Sequence, residues 1–324
     1  MTLVLAADVG GTKIDLALYE AQLPLVPVRE AVVPSQTAGS LLAVVEAFLQ
    51  GTAVAAAAFG IPGPVIDDAV VTTNLPWKID GGSLRARLGT ERVRLMNDLE
   101  TTALGALHLP ASSFRVLQQG TPRAGHVAVI AAGTGLGQAY LFWDGVKHTP
   151  AATEGGHADF APRERLEDEL LEFLRRKFGR VSWERVVSGP GLWNVFEFLD
   201  TEKKREVAPA TREALRTTAD KSAVIGMAGV AGTCPACREA VDLFLRMYGA
   251  QAGNLALTVM ATGGVLVGGG IVGKLLPSVG SGFVQAFRAK GRYEPFMGDL
   301  PVKVILDPGA SRLGAALAAI ALLA

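Results

Sequence analysis

The sequence predicts an α/β architecture built as two domains. Three observations carry this. Short apolar runs of strand character alternate with segments of helical spacing. Two of the strands, Leu3–Asp8 and Val129–Ala132, run into Gly/Thr turns with a second strand after each. Glycine makes up 38 of the 324 residues, which predicts many tight turns and close backbone approaches. Hydrophobic residues are 49% of the chain, enough for a substantial core, so a disordered chain is excluded.

Leu3–Asp8, Ile14–Tyr19 and Arg29–Val33 read as strands. Ser40–Gln50 follows helical spacing, with Leu41, Val44, Val45, Phe48 and Leu49 on one face. A strand at Val54–Phe59 ends in the turn sequence Gly60-Ile-Pro-Gly-Pro64. Ala69–Thr73 (strand), Gly82–Leu88 (helix), Val93–Met96 (strand) and Thr101–Leu107 (helix) complete the first block. A boundary falls near Leu109-Pro110, where a helix meets a proline and the polar run Ala111-Ser-Ser113 begins. The second block opens with Val127–Ala132 and the strand Gln138–Phe142. It continues with a charged helix, Arg163–Phe178, and a long helical region over roughly 211–260. Strands at Val265–Gly270 and Val302–Leu306 close it, and Ser311-Arg-Leu-Gly opens a last helix. The expected domains are 1–110, completed by helix 311–324, and 111–310.

Composition narrows the function. Lys+Arg and Asp+Glu are both 31, a formal net charge of +0, so no basic surplus points to nucleic acid. Two cysteines allow no disulfide framework, and a reducing compartment is the default. The N-terminus runs without a basic segment into Asp8 and reads as a first strand, not a signal peptide. The stretch Met247–Gly273 lacks charge and is long enough to raise the question of a membrane span. Eight glycines interrupt it, so it reads as a buried helix followed by a short buried strand. No membrane association is expected, and the cytoplasm is the expected location.

Several turns carry chemistry. Asp8-Val-Gly-Gly-Thr-Lys13 places an acid and a Gly pair at a strand end, where Gly10 and Gly11 let the backbone approach phosphate oxygens. Thr12 and Lys13 can add donors, and Asp8 can sit near Mg²⁺ through water. An ordinary strand–turn–strand fits the same residues. Ala132-Gly-Thr-Gly-Leu-Gly137 is a second candidate phosphate loop, with Gly133, Thr134, Gly135 and Gly137. No Gly-Lys-Ser/Thr follows it, and the next segment looks like a strand, so neither a P-loop nor a dinucleotide fingerprint is read. Leu95-Met-Asn-Asp98 ends a strand in two polar residues, and Asp98 suits a general base. Read alone, Asn97 or Asp98 as a simple helix cap is the favoured reading. Glu154 and His157, three apart around two glycines, can face one small polar ligand; zinc-type His spacing is absent. Glu184 by itself reads as a surface glutamate. Cys234-Pro-Ala-Cys237 lacks further zinc ligands and reads as a metal-free helix start.

Taken in order, these motifs resemble the bacterial-type glucokinases of the actin/hexokinase-like sugar-kinase superfamily, over nearly the whole chain. Asp8-Val-Gly-Gly-Thr12 is similar to that family's first phosphate loop, and Gly133–Gly137 to its second. Thr72-Thr-Asn-Leu-Pro-Trp77 resembles a T-N-x-x-W segment, and Leu95-Met-Asn-Asp98 the sugar-and-base segment. Glu154-Gly-Gly-His157-Ala-Asp-Phe-Ala-Pro162 and Glu184-Arg-Val-Val-Ser-Gly-Pro-Gly191 resemble sugar-binding stretches, and Gly268-Gly-Gly-Ile-Val272 the adenosine-side turn.

The resemblance implies a ribonuclease-H-like fold in two domains with a cleft between them, and phosphorylation of the glucose 6-hydroxyl by ATP with Mg²⁺. Carried over residue by residue, Asp98 would be the base. Asn74, Asn97, Asp98, Glu154, His157 and Glu184 would bind sugar. Asp8, Gly10, Gly11, Thr12, Lys13, Gly133, Thr134, Gly135, Gly137, Gly268, Gly269 and Gly270 would serve the nucleotide, with Asp8 near Mg²⁺. A homodimer is implied as well. Two positions depart from the pattern: Lys13 stands where this group commonly has Asn, as in the related ROK sugar kinases, and Leu99 where Phe is common. The alternatives are a kinase for another hexose or amino sugar, and a non-enzymatic ROK-type regulator. The regulator is disfavoured because the chain opens directly on the phosphate-loop strand, with no helix-turn-helix ahead of it.

Overall fold

The computed structural model describes residues 2–72, 75–275, 278 and 280–324, with the side chain of residue 281 left aside. Two compact units are present: Met1–Ser113 with Ala139–Ala152 and Asp307–Ala324, and Phe114–Gln138 with Thr153–Leu306.

In the first unit, β1 (Leu3–Val9), β2 (Lys13–Glu20) and β3 (Pro27–Pro34) form an antiparallel meander. Helix α1 (Leu41–Leu49) leads into β4 (Ala56–Ile61), which pairs parallel to β1. The short hairpin β5 (Ala69–Val71) and β6 (Lys78–Asp80), then α2 (Gly81–Leu88), lead to β7 (Val93–Asn97), parallel to β4. The sheet order is β3-β2-β1-β4-β7. Helix α3 (Asp98–Ala106) and the last helix, which comes from residues 310–321, cross on one face of this sheet.

Side-chain size sorts the two faces. Leu5, Ala7, Val9, Phe59 and Ile61 meet α1 and α2 in one apolar cluster. Val4, Ala6, Ala17, Ala56 and Ala58 form the other face, against Ala315, Ala316 and Ala319. Alanine on both sides lets a helix lie close to the strands. Both faces are covered, which is why β1 and β4 read as continuous apolar runs rather than alternating ones.

A six-stranded sheet repeats the plan. Strand β8 (Phe114–Gln118) precedes β9 (Val127–Ala132), β10 (Leu136–Trp143) and β11 (His148–Thr153). Helices α4 (Arg165–Phe178), α5 (Gly189–Thr201), α6 (Pro209–Thr217), α7 (Lys221–Ala231) and α8 (Pro235–Thr258) follow. Then come β12 (Gly264–Gly268), α9 (Gly270–Leu275), α10 (Ser281–Arg288), α11 (Glu294–Asp299) and β13 (Val302–Ile305), and the last helix of the first unit is α12 (Ala310–Ala321). The order β11-β10-β9-β12-β13-β8 contains the same five-strand series as the first sheet, extended by antiparallel β8. Strands β9, β12 and β13 are parallel neighbours. The α/β expectation and the paired strand–turn–strand openings are therefore both present.

The long helical region expected over 211–260 is three helices. Thr218 to Asp220 and Gly232 to Cys234 break it, with Gly232 in the left-handed conformation at φ +69°. The charge-free stretch after Met247 is the buried end of α8 followed by β12. No helix among the described residues is long and apolar enough to cross a membrane. Cys234 is the N-cap residue of α8, so a helix does start there, and both cysteines are buried and free.

Candidate active site

Asp8 lies near the end of β1, where a buried strand delivers a carboxyl to its rim. Oδ1 accepts a hydrogen bond of 2.8 Å from Ser311 Oγ on α12. Burial pushes the Asp8 carboxyl above the ordinary aspartate range; the Ser311 bond opposes this, Asp15 adds to it and Lys13 opposes it. The turn after β1 closes through Gly10 N donating to Lys13 O at 2.9 Å. A β-carbon at Gly10 would stand 2.9 Å from that same oxygen, so the turn requires glycine there. Thr12 and Lys13 are exposed at its tip.

A test of the Asp8 assignment lies in its stability. A carboxyl whose folded pKa is raised contributes stability that is complete below its unfolded pKa and lost as pH rises through the folded one. At pH 8 the buried anion is therefore a cost that Asp8→Asn removes. In thermal melts without nucleotide or divalent cation, Asp8→Asn is expected to melt roughly 2–4 °C above the parent at pH 8. The gap should close near pH 4. A lower melting point at pH 8 would mean that the anion is well accommodated.

Strand β7 carries Asn97 and Asp98 to the start of α3. Asn97 is the cap: its Oδ1 accepts from Leu99 N at 3.0 Å, and Glu100 Oε2 accepts from Asn97 N at 3.0 Å. Asn97 Nδ2 donates to Gly63 O at 3.1 Å, tying the cap to the turn after β4. Asp98 is the first helical residue, half-buried. The two readings of this dipeptide thus separate by residue: Asn97 caps, and Asp98 places a carboxylate at a helix N-terminus, where the dipole favours the anion.

In the second unit the β9–β10 turn holds Gly133, Thr134 and Gly135. Gly133 N donates to Gly135 O at 2.9 Å. Glu184 Oε2 accepts from Leu136 N at 2.9 Å, and a β-carbon at Gly135 would lie 2.6 Å from that oxygen. Only glycine lets the carboxylate reach the turn. The surface-glutamate reading of Glu184 gives way: it sits on a single 3₁₀ turn, Trp183–Arg185, between buried Trp183 and Val186.

His157 stands between two carboxylates. Its Nε2 is 3.8 Å from Glu154 Oε2 and its Nδ1 is 3.9 Å from Glu184 Oε1. These distances exceed hydrogen-bonding range, so the three side chains face one another with hydrogen-bonding capacity to spare for a polyol. The structure brings together Glu154, His157, Glu184, Gly135 and Leu136.

Gly268 ends β12, Gly269 takes φ +90°, and Gly270 begins α9. A β-carbon on Gly269 would overlap the Ala132 carbonyl, so this turn packs on the second candidate phosphate loop. Gly189 N donates to Gly133 O at 2.8 Å, which brings the start of α5 to the same loop. Asn74 lies outside the described residues.

Sequence reading missed three groups. Tyr248 Oη, fully buried, accepts from Ala132 N at 3.1 Å and lies 3.1 Å from the Ile130 and Gly268 carbonyls. It ties the ends of β9 and β12 together where each enters a glycine turn. Gln138 Nε2 is buried with no hydrogen-bond partner among the described residues. Ser311 contacts Asp8 from 303 residues away. Only the strand spacing after Gly137 hinted that Gln138 points inward; nothing local marks the other two.

A Mg²⁺ ion suits this donor set only as an ion held largely by water and phosphate. Among the described residues no three His, Cys, Asp or Glu side chains cluster to hold a metal. The single Asp8 carboxylate beside a glycine turn is a hard oxygen ligand of the kind Mg²⁺ accepts.

Comparison with known proteins bears on these features. A family model described as Glucokinase matches residues 5–322. A glucokinase of Synechocystis sp. (strain ATCC 27184 / PCC 6803 / Kazusa) is 39% identical, covering 97% of each chain. A glucokinase of Nostoc sp. (strain PCC 7120 / SAG 25.82 / UTEX 2576) is 38% identical over 98% of this chain and 99% of its own. Among solved structures, glucokinase from an Antarctic psychrotroph superposes with a TM-score of 0.81 at 28% identity, covering 98% of each chain. Glucokinase from Balamuthia mandrillaris, in complex with glucose, superposes at 0.80 with 22% identity over 98% of this chain and 93% of its own, a likeness of fold alone.

Proposed function

The chain belongs to the glucokinase family, and from that premise we propose how its own residues move the γ-phosphoryl group of ATP to the 6-hydroxyl of glucose. The products are glucose 6-phosphate and ADP. The match to the family over residues 5–322 is the observation that carries this reading.

Asp98 takes the proton of the 6-hydroxyl as that oxygen attacks phosphorus. Its support is its place at the first position of α3, on the rim of a parallel sheet. Glu154, His157 and Glu184 bind ring hydroxyls; their support is the open cluster of two carboxylates about one imidazole. Asn97 keeps one amide hydrogen beyond its structural bonds, enough to donate to a hydroxyl. Asn74 is proposed for the same group on resemblance alone. Gly10–Lys13 and Gly133–Gly137 hold phosphate oxygens through backbone N–H groups, with Lys13 adding charge from the exposed end of the turn. Gly268–Gly270 serve the adenosine end.

Mg²⁺, when bound with ATP, would neutralise charge on the transferred phosphoryl, and Asp8 would hold it through water. The transition state for phosphoryl transfer is loose, so positioning and electrostatics supply most of the acceleration. We place the enzyme in the cytoplasm, supported by two free thiols that suit a reducing compartment. A homodimer is proposed on resemblance.

The test is ADP release with MgATP against glucose, fructose, mannose, galactose and N-acetylglucosamine. Glucose is expected to give a kcat/KM at least about tenfold above every other sugar, because a site that pairs each hydroxyl leaves its own polar groups unpaired with an epimer. A higher kcat/KM with another sugar would replace glucose as substrate.

A further inference from the structure

Two buried hydroxyls, Thr101 on α3 and Ser311 on α12, lie between the Asp8 carboxyl and the backbone carbonyl of Asp98. Ser311 Oγ donates to Asp8 Oδ1 at 2.8 Å. Ser311 Oγ and Thr101 Oγ1 are 2.8 Å apart. Thr101 Oγ1 in turn lies 2.8 Å from the Asp98 carbonyl oxygen, a second acceptor for its one proton. Thr101 is fully buried and Ser311 nearly so. We infer that Thr101 and Ser311 are positioning residues for phosphoryl transfer: the Thr101 hydroxyl supports Ser311, and Ser311 holds the Asp8 carboxyl. The inference rests on the reading of Asp8 and Asp98 given under Proposed function.

Three features separate this chain from ordinary polar packing. First, helix hydroxyls usually bond back to a carbonyl of their own helix. Ser311 instead bonds outward, to a strand residue and to a second helix. Second, the space is kept open by sequence. A β-carbon at Gly60 would overlap Thr101 Oγ1 and approach Ser311 Oγ to 3.0 Å. Third, proton counting leaves the Thr101 hydroxyl free to support Ser311. With Ser311 donating to Asp8, Thr101 has one proton and two acceptors, the Asp98 carbonyl and Ser311 Oγ. Thr102 Oγ1 also donates to the Asp98 carbonyl, at 2.8 Å. That carbonyl therefore stays bonded whichever way the Thr101 hydroxyl turns, and Ser311 can be supported from behind while it holds Asp8.

The experiment uses Thr101→Val, Thr101→Ser, Ser311→Ala and the Thr101→Val/Ser311→Ala double variant in the full chain. Three quantities are read: kcat and KM for glucose and MgATP, the calorimetric Kd for MgADP, and the melting temperature. Thr101→Val keeps the shape and loses the hydroxyl; Thr101→Ser keeps the hydroxyl. Thr101→Val and Ser311→Ala are each expected to lower kcat about tenfold, the effect of removing one hydrogen bond on a charged or polarised group, with glucose KM within about twofold. Ser311→Ala should also weaken MgADP about fivefold. Thr101→Ser should restore kcat to within twofold of the parent. The double variant should lose no more than the worse single, because both break one chain.

A parent-like kcat and MgADP affinity in both Thr101→Val and Ser311→Ala would overturn the inference. So would a kcat loss that follows the melting temperature and is not restored by Thr101→Ser. If the parent enzyme turns over none of the sugars, the proposed function falls, and MgADP affinity alone decides this point: unchanged affinity in Ser311→Ala overturns it, and a fivefold loss supports it.

Discussion

Asp98→Asn is expected to lower kcat by roughly 10²–10⁴-fold, the usual contribution of a general base. That corresponds to about 2.7–5.5 kcal/mol of lost transition-state stabilisation. Asparagine fills the same volume and still hydrogen-bonds a hydroxyl, but it cannot accept a proton at neutral pH. The glucose KM should therefore move by less than about threefold, the signature of an interaction made chiefly in the transition state. Some stability is lost too, because a carboxylate at the first position of α3 interacts favourably with the helix dipole, by about 0.3–1 kcal/mol. A melting curve separates that small effect from the kinetic one. If kcat is unchanged in a folded variant, Asp98 is not the base.

Gly314→Ala should be the most damaging single methyl in the first unit. Helix propensity argues the other way, since alanine is favoured over glycine by about 1 kcal/mol in a helix interior. Sterics decide. A β-carbon at Gly314 would overlap the Thr101 carbonyl, and one at Gly105 would overlap the Ala310 carbonyl. These contacts are backbone to backbone, so no side chain can swing aside; α3 or α12 must move. A net loss of about 2–3 kcal/mol is expected, a fall in melting temperature of about 3–4 °C. Gly105→Ala should behave alike, and the pair should be less than additive, because one displacement of α12 relieves both collisions. The displacement would also part Ser311 from Thr101, so kcat should fall below what stability alone explains. Thermal melts and initial rates on the same preparations test both. A variant with unchanged melting temperature would show that the crossing is looser than its geometry implies.

Much of the fold was legible because of how the strands are buried. Strands β1, β4, β9 and β12 are covered on both faces, so they appear as unbroken apolar runs ended by glycine turns. Strands β8 and β11 were not foreseen. Both are outer strands, exposed at two or more positions, and Phe114–Gln118 and His148–Thr153 carry too weak a pattern. Helix α5 was missed although its start was written locally: Ser188 caps it and Pro190 follows at the second position.

The sequence by itself determined the α/β class, the two glycine turns, the Asn97-Asp98 strand end and the Glu154–His157 spacing, while Glu184 entered through the family resemblance. Each is a local pattern of a few residues whose chemistry depends on their own spacing. Tertiary structure alone decided that Glu184 holds Leu136 N, that Tyr248 ties two turns, and that Ser311 reaches Asp8. In those pairs the partners are 48, 116 and 303 residues apart. A hydrogen bond needs its atoms within about 3 Å, and nothing in a stretch of sequence fixes a distance between residues so far apart until the sheets and the α3–α12 crossing have closed.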